Sequence, residues 1–466
     1  MIIKTVQHYN NYNTTTISMH LTFYGGTGEA TGSNYILESG DTRIMIDCGL
    51  HQGSHYAEKE NFESFAYDPK SIAAVFITHS HLDHIGRLPS LVKAGFPGTI
   101  YATGATKDFA ELMLRDSEHL LLAEAEREKK PPLYNDDDIE AVMRAWRGLD
   151  YHAPVTVGPF TVELYDAGHI LGSAFIKVQA EGKTIVFSGD LGNSPAPIIK
   201  PTETLPEVDY CLIESTYGDR VHEDVSERQE LLEHAIQDTV AAGGTLIIPT
   251  FAMERMQELL YHLHQLFAAG RIPHVPVFVD SPLAIKLTEV YKKHESYFND
   301  ETRRETRGGG DILNFPGLRL TLTTEQSKEI NNISPPKIIM AGAGMSNGGR
   351  ILHHEVRYLP DPKSTILFVG YQAPDSLGRK IQEGASEVSI FGEMVPVRCR
   401  RISIGGYSAH ADQPHLVSWL SSARQSLKKV FVVQGEDASS QALAAKIRDE
   451  LAVATEVPKL GEVVEL

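Results

Sequence analysis

The sequence predicts an α/β protein with more than one domain. At 466 residues the chain is longer than one hydrophobic core usually organises, so two or three domains are expected. Short apolar runs of strand length, such as 72–77, 245–249 and 365–369, recur along the chain, and helical stretches such as 226–242 separate them. Strands that alternate with helices are typical of sheets covered by helices. Several strands end in histidine or aspartate, which predicts a functional site at a sheet edge.

Composition narrows the class of protein further. The formal net charge of −18 counts against nucleic-acid binding through bulk charge, although divalent cations bound in a cleft would reverse the local field. The three cysteines, Cys48, Cys211 and Cys399, are widely spaced, which favours a reducing compartment such as the cytoplasm and leaves His, Asp and Glu as candidate metal ligands. No apolar run approaches the ~20 residues of a membrane helix, so no membrane partner is expected.

The N-terminal part of the chain leads from a polar stretch into the first strands. Residues 1–18 are rich in asparagine and threonine and predict an extension, and the first strand-like run is 20–23. A later apolar strand ends at Asp47, whose carboxylate needs partners if it is buried. Asp47 is a candidate to orient a metal-bound histidine, because ligand imidazoles usually donate their other N–H to an acceptor. The alternative is an aspartate that forms a turn.

The densest motif follows the apolar run 72–77. It places His79, His81, Asp83 and His84 within six positions. Alternate side chains of an extended segment point the same way, so His79 and His81 can reach one metal ion. Asp83 and His84 follow after the chain has turned and face a second position. Imidazole and carboxylate together suit zinc or a similar divalent ion, so the motif predicts half of a two-metal site.

Two later strands add candidate ligands. The run 162–166 leads to His169, and the run 184–187 leads to Asp190. A carboxylate such as that of Asp190 can bridge two metal ions. Acids and histidines therefore recur at the ends of apolar strands, which is the pattern of a metal site at a sheet edge.

Together these residues resemble the metallo-β-lactamase fold, and later motifs resemble its β-CASP branch. That branch contains RNA-processing nucleases, including RNase J and the cleavage-and-polyadenylation endonuclease, and the chain resembles its shorter prokaryotic members. The β-CASP-like motifs are Glu214-Ser215-Thr216-Tyr217-Gly218, Pro249-Thr250-Phe251-Ala252, Asp280-Ser281-Pro282-Leu283-Ala284, Gly348-Gly349-Arg350 and Tyr407-Ser408-Ala409-His410-Ala411-Asp412.

The resemblance implies an architecture. A metallo-β-lactamase αββα sandwich would be built by residues 19–212 together with a return segment, 395–466. An inserted α/β domain, the β-CASP domain, would occupy residues 213–394. The short β-rich runs between 245 and 369 agree with a parallel sheet in that insertion.

The resemblance also implies a two-zinc hydrolase. The ligands of one Zn²⁺ would be three histidines: His79, His81 and His169. Asp83 and His84 would hold the other ion, and Asp190 would bridge the two. A hydroxide activated by both metals would attack phosphorus, while the metals stabilise charge on the phosphoryl oxygens. Asp83 and Asp190 would thus serve catalysis as well as metal binding.

Further residues would complete the implied site. His410 matches the family's general acid, which protonates the leaving 3′ oxygen, and Glu214 would orient it through a hydrogen bond. The groups implied to meet substrate phosphates are Ser281, the backbone of Gly348 and Gly349, and Arg350 as a bidentate donor. The neighbouring His353 and His354 are interpreted as structural residues.

Three positions depart from the family pattern. Gln434 stands where RNA-directed members carry a histidine for the second metal and DNA-directed members carry valine. An amide oxygen is a poorer zinc ligand than imidazole, so altered occupancy of the second site, or a preference for Mn²⁺, is expected. Glu254 and Asp375 stand where glycine is usual, and both are expected to add negative charge beside the nucleic-acid path.

The leading hypothesis is a zinc-dependent ribonuclease that acts on single-stranded RNA. The alternative is a catalytically weakened β-CASP paralogue that binds RNA or a partner protein, which the departure at Gln434 favours. A hydrolase of small esters or thioesters is a third reading, although a small substrate does not need the inserted domain. A homodimer is left open.

Overall fold

The structure is a computed structural model that describes residues 18–52, 59–222, 225–370, 372–373 and 375–466. Apart from Ser18, the predicted polar extension lies outside the described residues. None of the helices in these ranges is both long enough and apolar enough to cross a lipid bilayer.

The strands are distributed over the whole described chain. In order they are β1 (Met19–Phe23), β2 (Tyr35–Ser39), β3 (Thr42–Ile46), β4 (Ile72–Phe76), β5 (Thr99–Thr103), β6 (Trp146–Leu149), β7 (Val155–Val157), β8 (Phe160–Asp166), β9 (Ala174–Ala180), β10 (Lys183–Phe187), β11 (Tyr210–Glu214), β12 (Thr245–Pro249), β13 (Val277–Val279), β14 (Leu318–Leu320), β15 (Lys337–Ala341), β16 (Thr365–Phe368), β17 (Glu387–Ile390), β18 (Glu393–Pro396), β19 (Arg400–Ser403), β20 (Lys429–Val433), β21 (Ala454–Glu456) and β22 (Val463–Glu465).

The α-helices alternate with these strands. In order they are α1 (Leu82–Ile85), α2 (Leu88–Lys93), α3 (Gly104–Glu128), α4 (Asp136–Ala145), α5 (Val225–Ala241), α6 (Arg255–Ala268), α7 (Pro282–Lys293), α8 (Asp300–Arg307), α9 (Thr324–Glu329), α10 (Ile351–Tyr358), α11 (Leu377–Gln382), α12 (Gln413–Ser421) and α13 (Asp437–Leu451). Short 3₁₀ turns lie at Pro69–Ser71, Glu295–Tyr297, Ile330–Asn332 and Gly405–Tyr407.

Two seven-stranded sheets pack face to face. Their strand orders are β22-β1-β2-β3-β4-β5-β6 and β21-β20-β11-β10-β9-β8-β7. Strands β1 and β8 alternate as a two-residue period requires: in β1, Met19, Leu21 and Phe23 are buried and the residues between them are partly exposed. These side chains meet those of the other sheet, such as Phe187 and Phe431, in one core.

Helices cover the outer face of each sheet. Side chains of α2, α3 and α4 pack on the first sheet, and side chains of α12 and α13 pack on the second. Side-chain caps fix where the covering helices begin: the Thr103 hydroxyl accepts from the Thr106 N–H at α3, and Asn135 forms a capping box at α4. The predicted αββα sandwich is confirmed.

The inserted domain is a second α/β unit. Its six parallel strands run in the order β14-β13-β15-β12-β16-β19, and every residue of β12, β13 and β15 is buried. Such uninterrupted apolar strands are expected where helices cover both faces of a sheet. Helices α5, α6 and α7 contribute to the core on one face, and α10 and α11 to the core on the other. The boundaries 212/213 and 394/395 stay a prediction; β19, which follows the second one, pairs with β16 of this sheet.

Close backbone packing joins the loops at the sandwich edge. The Cys48 N–H donates to the His84 carbonyl (2.8 Å) and the Leu50 N–H donates to the Leu82 carbonyl (2.9 Å). Between these two bonds, a Cβ added to Gly49 would lie 1.6 Å from the Asp83 carbonyl oxygen. Only glycine allows the loop after β3 to lie this close to the loop after β4.

Gly49→Ala is expected to destabilise the sandwich by about 3 kcal/mol, because backbone must move to accept the new methyl group. The measurement is the urea midpoint followed by tryptophan fluorescence, since both tryptophans, Trp146 and Trp419, lie in the sandwich. Gly104→Ala is the control, because its Cβ would meet only the His294 ring at 3.9 Å. Equal midpoints for the two variants would contradict the close approach.

Candidate metal centre

Four side chains, three of them buried and one, His81, partly exposed, converge at the edge where the strands of the sandwich end. The His79 Nε2 and His169 Nε2 atoms lie 3.0 and 3.2 Å from His81 Nδ1. The Asp190 Oδ2 atom lies 3.4 Å from His79 Nε2 and 3.5 Å from His169 Nε2. All four ligand atoms fall within 4.8 Å of one another. We call the three histidines the first ligand group.

These separations fit a shared divalent ion. Ligand atoms about 2.0–2.2 Å from a tetrahedral zinc stand roughly 3.4 Å apart, and the observed spacings of 3.0–3.5 Å fall close to that value. Lone pairs of neutral imidazole nitrogens that face one another at such distances repel, and a cation placed between them removes this repulsion. The sequence expectation that His79 and His81 point the same way agrees with the extended conformation at His81 (φ −66°, ψ 148°).

A second set of side chains meets the other oxygen of Asp190. The His84 Nε2 atom lies 3.4 Å from Asp190 Oδ1 and 3.8 Å from Asp83 Oδ2. The Gln434 Nε2 atom lies 2.9 Å from His84 Nε2 and 3.4 Å from Asp190 Oδ1. We call Asp83, His84 and Gln434 the second ligand group. The structure thus brings the predicted ligands together, with Asp190 between the two groups.

Gln434 is held in this position by its backbone. Its φ of 48° is left-handed, its N–H donates to the Gly26 carbonyl (2.7 Å), and its carbonyl accepts from the Ser215 N–H (3.2 Å). The side chain is 2% exposed. A 180° rotation of the amide would exchange its nitrogen for its oxygen without moving the backbone, and the oxygen is the atom that can ligate a cation.

Asp47 lies directly behind His84. Its Oδ2 atom is 2.7 Å from His84 Nδ1, and it also accepts from the Ser33 hydroxyl at 3.1 Å. Its Oδ1 atom accepts from the Thr78 N–H at 2.8 Å. Because Asp47 engages Nδ1, the free nitrogen of His84 is Nε2, which faces Asp83 and Asp190.

Thr78 and Ser33 were not anticipated from the sequence. The Thr78 hydroxyl lies within 3.1 Å of both Asp47 oxygens and 3.2 Å from His84 Nδ1. A hydroxyl residue next to the histidine motif is the only signal that could have indicated this role, and it is too common to stand out.

Burial and neighbouring charges determine which side chains of the centre carry a proton. Burial lowers the pKa of His81 and of His169 well below the usual histidine range, and neighbouring imidazoles lower it further. Both rings are therefore neutral at pH 7, the form in which imidazole binds a metal. Burial alone would raise the pKa of Asp190, but the imidazoles of His84 and His79 outweigh it and hold that pKa well below its usual range. Asp190 is thus an anion at the middle of the centre.

His410 and Glu214 form a pair at the rim. The His410 Nδ1 atom lies 3.1 Å from Glu214 Oε2 and 3.8 Å from Asp190 Oδ2, and its side chain is 23% exposed. The Glu214 Oε1 atom accepts from the Leu191 N–H at 2.6 Å, which fixes the carboxylate. Burial opposes the charged form of His410, but Glu214 and Asp190 outweigh it and raise its pKa to about 9. A protonated imidazole therefore faces the centre near neutral pH.

The candidate phosphate-binding residues lie at the edge of the six-stranded sheet. Ser281 caps α7 and accepts from the Ala284 N–H at 3.3 Å. The Arg350 guanidinium donates to Asp280 at 2.8 Å and to the carbonyls of Thr321 and Leu322 at 3.0 Å. Two of its nitrogens thus already donate hydrogen bonds within the protein. A phosphate role for Arg350 stays a prediction and requires it to exchange these partners.

Other members of that edge have local roles. Gly349 has a φ of 75°, and a Cβ there would lie 2.4 Å from the Gly342 carbonyl oxygen; Gly348 has open space around it. His354 Nε2 lies 2.7 Å from Asp280 Oδ2, and the His353 ring packs on Phe391. Neither histidine approaches a metal-ligand group in the described residues.

The departures from glycine fall where the backbone is left-handed: φ is 61° at Glu254 and 66° at Asp375. The expected negative charge at Glu254 is wrong. Its side chain is buried, the Tyr291 hydroxyl donates to it, and burial together with Glu258 raises its pKa to about 8. Glu254 is therefore mostly protonated at neutral pH.

Three family models match the chain. The model for the metallo-beta-lactamase superfamily covers residues 27–210, that for the Beta-Casp domain covers 256–381, and that for the Zn-dependent metallo-hydrolase RNA specificity domain covers 394–458. Together they span both parts of the sandwich and most of the insertion.

Proteins of similar sequence carry names of RNA metabolism. Ribonuclease TTHA0252 of Thermus thermophilus is 37% identical over 91% of this chain and 95% of its own length. Two proteins of Methanocaldococcus jannaschii are 30% identical: an RNase J-like protein, over 96% of this chain and 99% of its own length, and transcription termination factor FttA, over 94% and 70%. A crystal structure of a protein of unknown function from Enterococcus faecalis V583 shares the fold, with a TM-score of 0.55 and 13% identity over 96% of this chain and all of that one.

Asp47→Asn is expected to weaken metal binding by the second ligand group about 10- to 100-fold, since an amide cannot accept from Ser33, Thr78 and His84 together. Competition of Zn²⁺ between the protein and a chelating dye measures the change. Asp41→Asn, in the exposed turn between β2 and β3, serves as the control. If Asp47→Asn bound Zn²⁺ as tightly as the control, orientation of His84 by Asp47 would be refuted.

Proposed function

Because the chain belongs to the β-CASP family of metal-dependent hydrolases with the metallo-β-lactamase fold, we propose that it hydrolyses phosphodiester bonds of single-stranded RNA with two zinc ions. The observation that carries the proposal is the pair of ligand groups on either side of Asp190. With the shared Asp190 carboxylate, each group offers imidazole together with carboxylate, a donor set that suits zinc when no thiolate is present. At the second group, where the Gln434 amide stands beside His84 and Asp190, Mn²⁺ is the alternative ion.

Each ligand group would hold one metal ion. The first, His79, His81 and His169, would hold one ion, and Asp83 and His84 with Gln434 would hold the other. Asp190 presents one oxygen to each group. Bound divalent ions supply Lewis acidity, which lowers the pKa of water and offsets negative charge on phosphoryl oxygens.

The proton for the leaving group would come from His410. Glu214 occupies its Nδ1 atom, so Nε2 is the nitrogen free to donate. The raised pKa keeps the ring charged at neutral pH, and a charged imidazole can protonate the 3′ oxygen as the P–O bond breaks. Glu214 is the positioning residue of this pair, because it contacts the imidazole and the Leu191 N–H rather than the cleft.

RNA is the proposed substrate for reasons outside the centre. The matched model for residues 394–458 is named for RNA specificity, and the related proteins are named as a ribonuclease, an RNase J-like protein and a transcription termination factor. The net charge of −18 implies that bound metal ions, rather than the whole surface, attract the phosphates. The cytoplasm is the proposed location, where the three buried cysteines would stay reduced.

A weakened paralogue that binds RNA or a partner is the second candidate. It is favoured by one observation: the side chain that contacts both His84 and Asp190 is the amide of Gln434 rather than an imidazole. Low affinity of the second ligand group would leave the first group able to bind metal and RNA without efficient hydrolysis.

Asp190→Ala is expected to lower RNA cleavage at least about 10³-fold, since it removes the carboxylate shared by both ligand groups. The assay is a gel time-course with labelled single-stranded RNA and matching DNA, with protein loaded with Zn²⁺ or Mn²⁺. Asp41→Ala, in an exposed turn, controls for loss of a carboxylate elsewhere. Cleavage by Asp190→Ala at the wild-type rate would refute the proposed mechanism. Absence of cleavage by metal-loaded wild type would favour the binding role.

Gln434→His is expected to raise the affinity of the second ligand group for Zn²⁺ about tenfold or more, because imidazole binds zinc better than an amide. Histidine is also among the residues that tolerate the left-handed backbone found at this position. Stepwise titration against a chelating dye resolves the weaker metal equivalent. An unchanged second affinity would remove Gln434 from the metal site.

A further inference from the structure

A second cluster of potential ligands lies outside the catalytic centre. It consists of Glu29, His51 and Glu60, which we call the peripheral cluster. Glu29 Oε1 lies 2.9 Å from His51 Nδ1, and Glu60 Oε2 lies 3.6 Å from the same nitrogen. The three ligand atoms fall within 4.8 Å of one another.

The imidazole of the buried His51 points into this cluster. Its side chain is 6% exposed, and among the residues that the structure describes its Nδ1 atom has no hydrogen-bond partner, although two carboxylates lie beside it. The nearer oxygen is therefore adjacent to the nitrogen but outside its hydrogen-bonding direction. Neighbouring ligands of one ion have this relation, because the ion, and not the second ligand, occupies the direction of the lone pair.

The surrounding backbone holds the ring in place. Asn61 Oδ1 accepts from the His51 N–H (2.9 Å), and Asn61 Nδ2 donates to the His51 carbonyl (2.8 Å). A Cβ added to Gly32 would lie 2.7 Å from the His51 ring. The residue at position 32 must therefore be glycine for the ring to occupy this position.

Within the ranges that the structure describes, neither Glu29 nor Glu60 forms an ion pair with a lysine or arginine. Two carboxylates that share one imidazole repel each other unless a cation lies between them. The cluster thus has an excess of negative charge directed at one point.

We propose that the peripheral cluster binds a Zn²⁺ ion through His51 Nδ1, Glu29 and Glu60. The observed separations of 2.9 and 3.6 Å lie on either side of the roughly 3.4 Å expected between two ligands of a tetrahedral zinc. The imidazole favours zinc over Mg²⁺ or Ca²⁺, which prefer oxygen ligands alone. Three protein ligands leave one position for water.

The ion would connect three segments that support the second ligand group. Glu29 belongs to the loop that leads to Ser33, and Ser33 donates its N–H to the Asp83 carbonyl (2.9 Å). His51 lies two residues after Gly49, whose N–H donates to the Ser33 carbonyl (2.9 Å). Glu60 precedes Asn61, which binds the His51 backbone. Zinc bound here would fasten these loops to one another and raise the stability of the folded chain.

Counting bound metal tests the proposal. Protein freed of metal would be dialysed against buffered Zn²⁺, desalted, and analysed by mass spectrometry for zinc per chain. Glu29→Gln/Glu60→Gln is expected to bind one equivalent less than wild type, and the increase in melting temperature on adding Zn²⁺ is expected to be smaller. Glu63→Gln, an exposed glutamate of the same segment, is the matched control and should retain the wild-type count.

A background without Asp190 separates this site from the catalytic centre. In Asp190→Ala the zinc equivalent of the peripheral cluster should persist, and it should disappear when Glu29→Gln/Glu60→Gln is added. The result is independent of whether the protein cleaves RNA. A doubly substituted protein with wild-type circular dichroism and an unchanged zinc count would overturn the proposal, and so would an equal loss of zinc in Glu63→Gln.

Discussion

The carboxylate of Asp190 is the group on which the centre depends. Its side chain is 3% exposed, one oxygen lies near His79 and His169, and the other lies near His84. A charge removed from water costs several kcal/mol unless partners compensate it. The imidazoles of the first ligand group cannot all supply protons, since burial keeps His81 and His169 neutral. A divalent cation between the neutral imidazoles and the carboxylate compensates the buried charge without a proton on His81 or His169. The arrangement therefore fits a metal site better than a network of protonated histidines and carboxylates.

Backbone contacts hold the metal-ligand side chains close together although they repel one another without a cation. The loops that follow β3 and β4 are joined by hydrogen bonds and by the approach of Gly49 to the Asp83 carbonyl. Asp47, the first residue after β3, binds His84 of α1. Rigid strands on one side and hydrogen-bonded loops on the other leave little freedom for the ligands to separate. Such preorganisation is what a site needs when its members repel one another in the absence of the ion.

Much of the centre is predictable because several of its ligand residues lie close together in sequence or directly after a strand. The two-residue spacing of His79 and His81 indicates a shared ligand direction on extended backbone, and the placement of Asp190 at a strand end indicates the sheet edge. The αββα sandwich and the parallel insertion follow from the family motifs together with the strand runs. What escaped prediction depends on long-range packing. Burial makes Glu254 mostly neutral, and the three acceptors around Arg350 come from segments distant in sequence. The role of Thr78 depends on its contact with Asp47, which directly follows another strand, β3.

Crystals of the protein loaded with Zn²⁺ and measured on both sides of the zinc absorption edge test the central claim most directly. The account predicts two anomalous peaks on either side of Asp190, one about 2.0–2.2 Å from the nitrogens of His79, His81 and His169, and the other at the same distance from Asp83 and His84. A folded, zinc-loaded protein with no anomalous density among these side chains would contradict it.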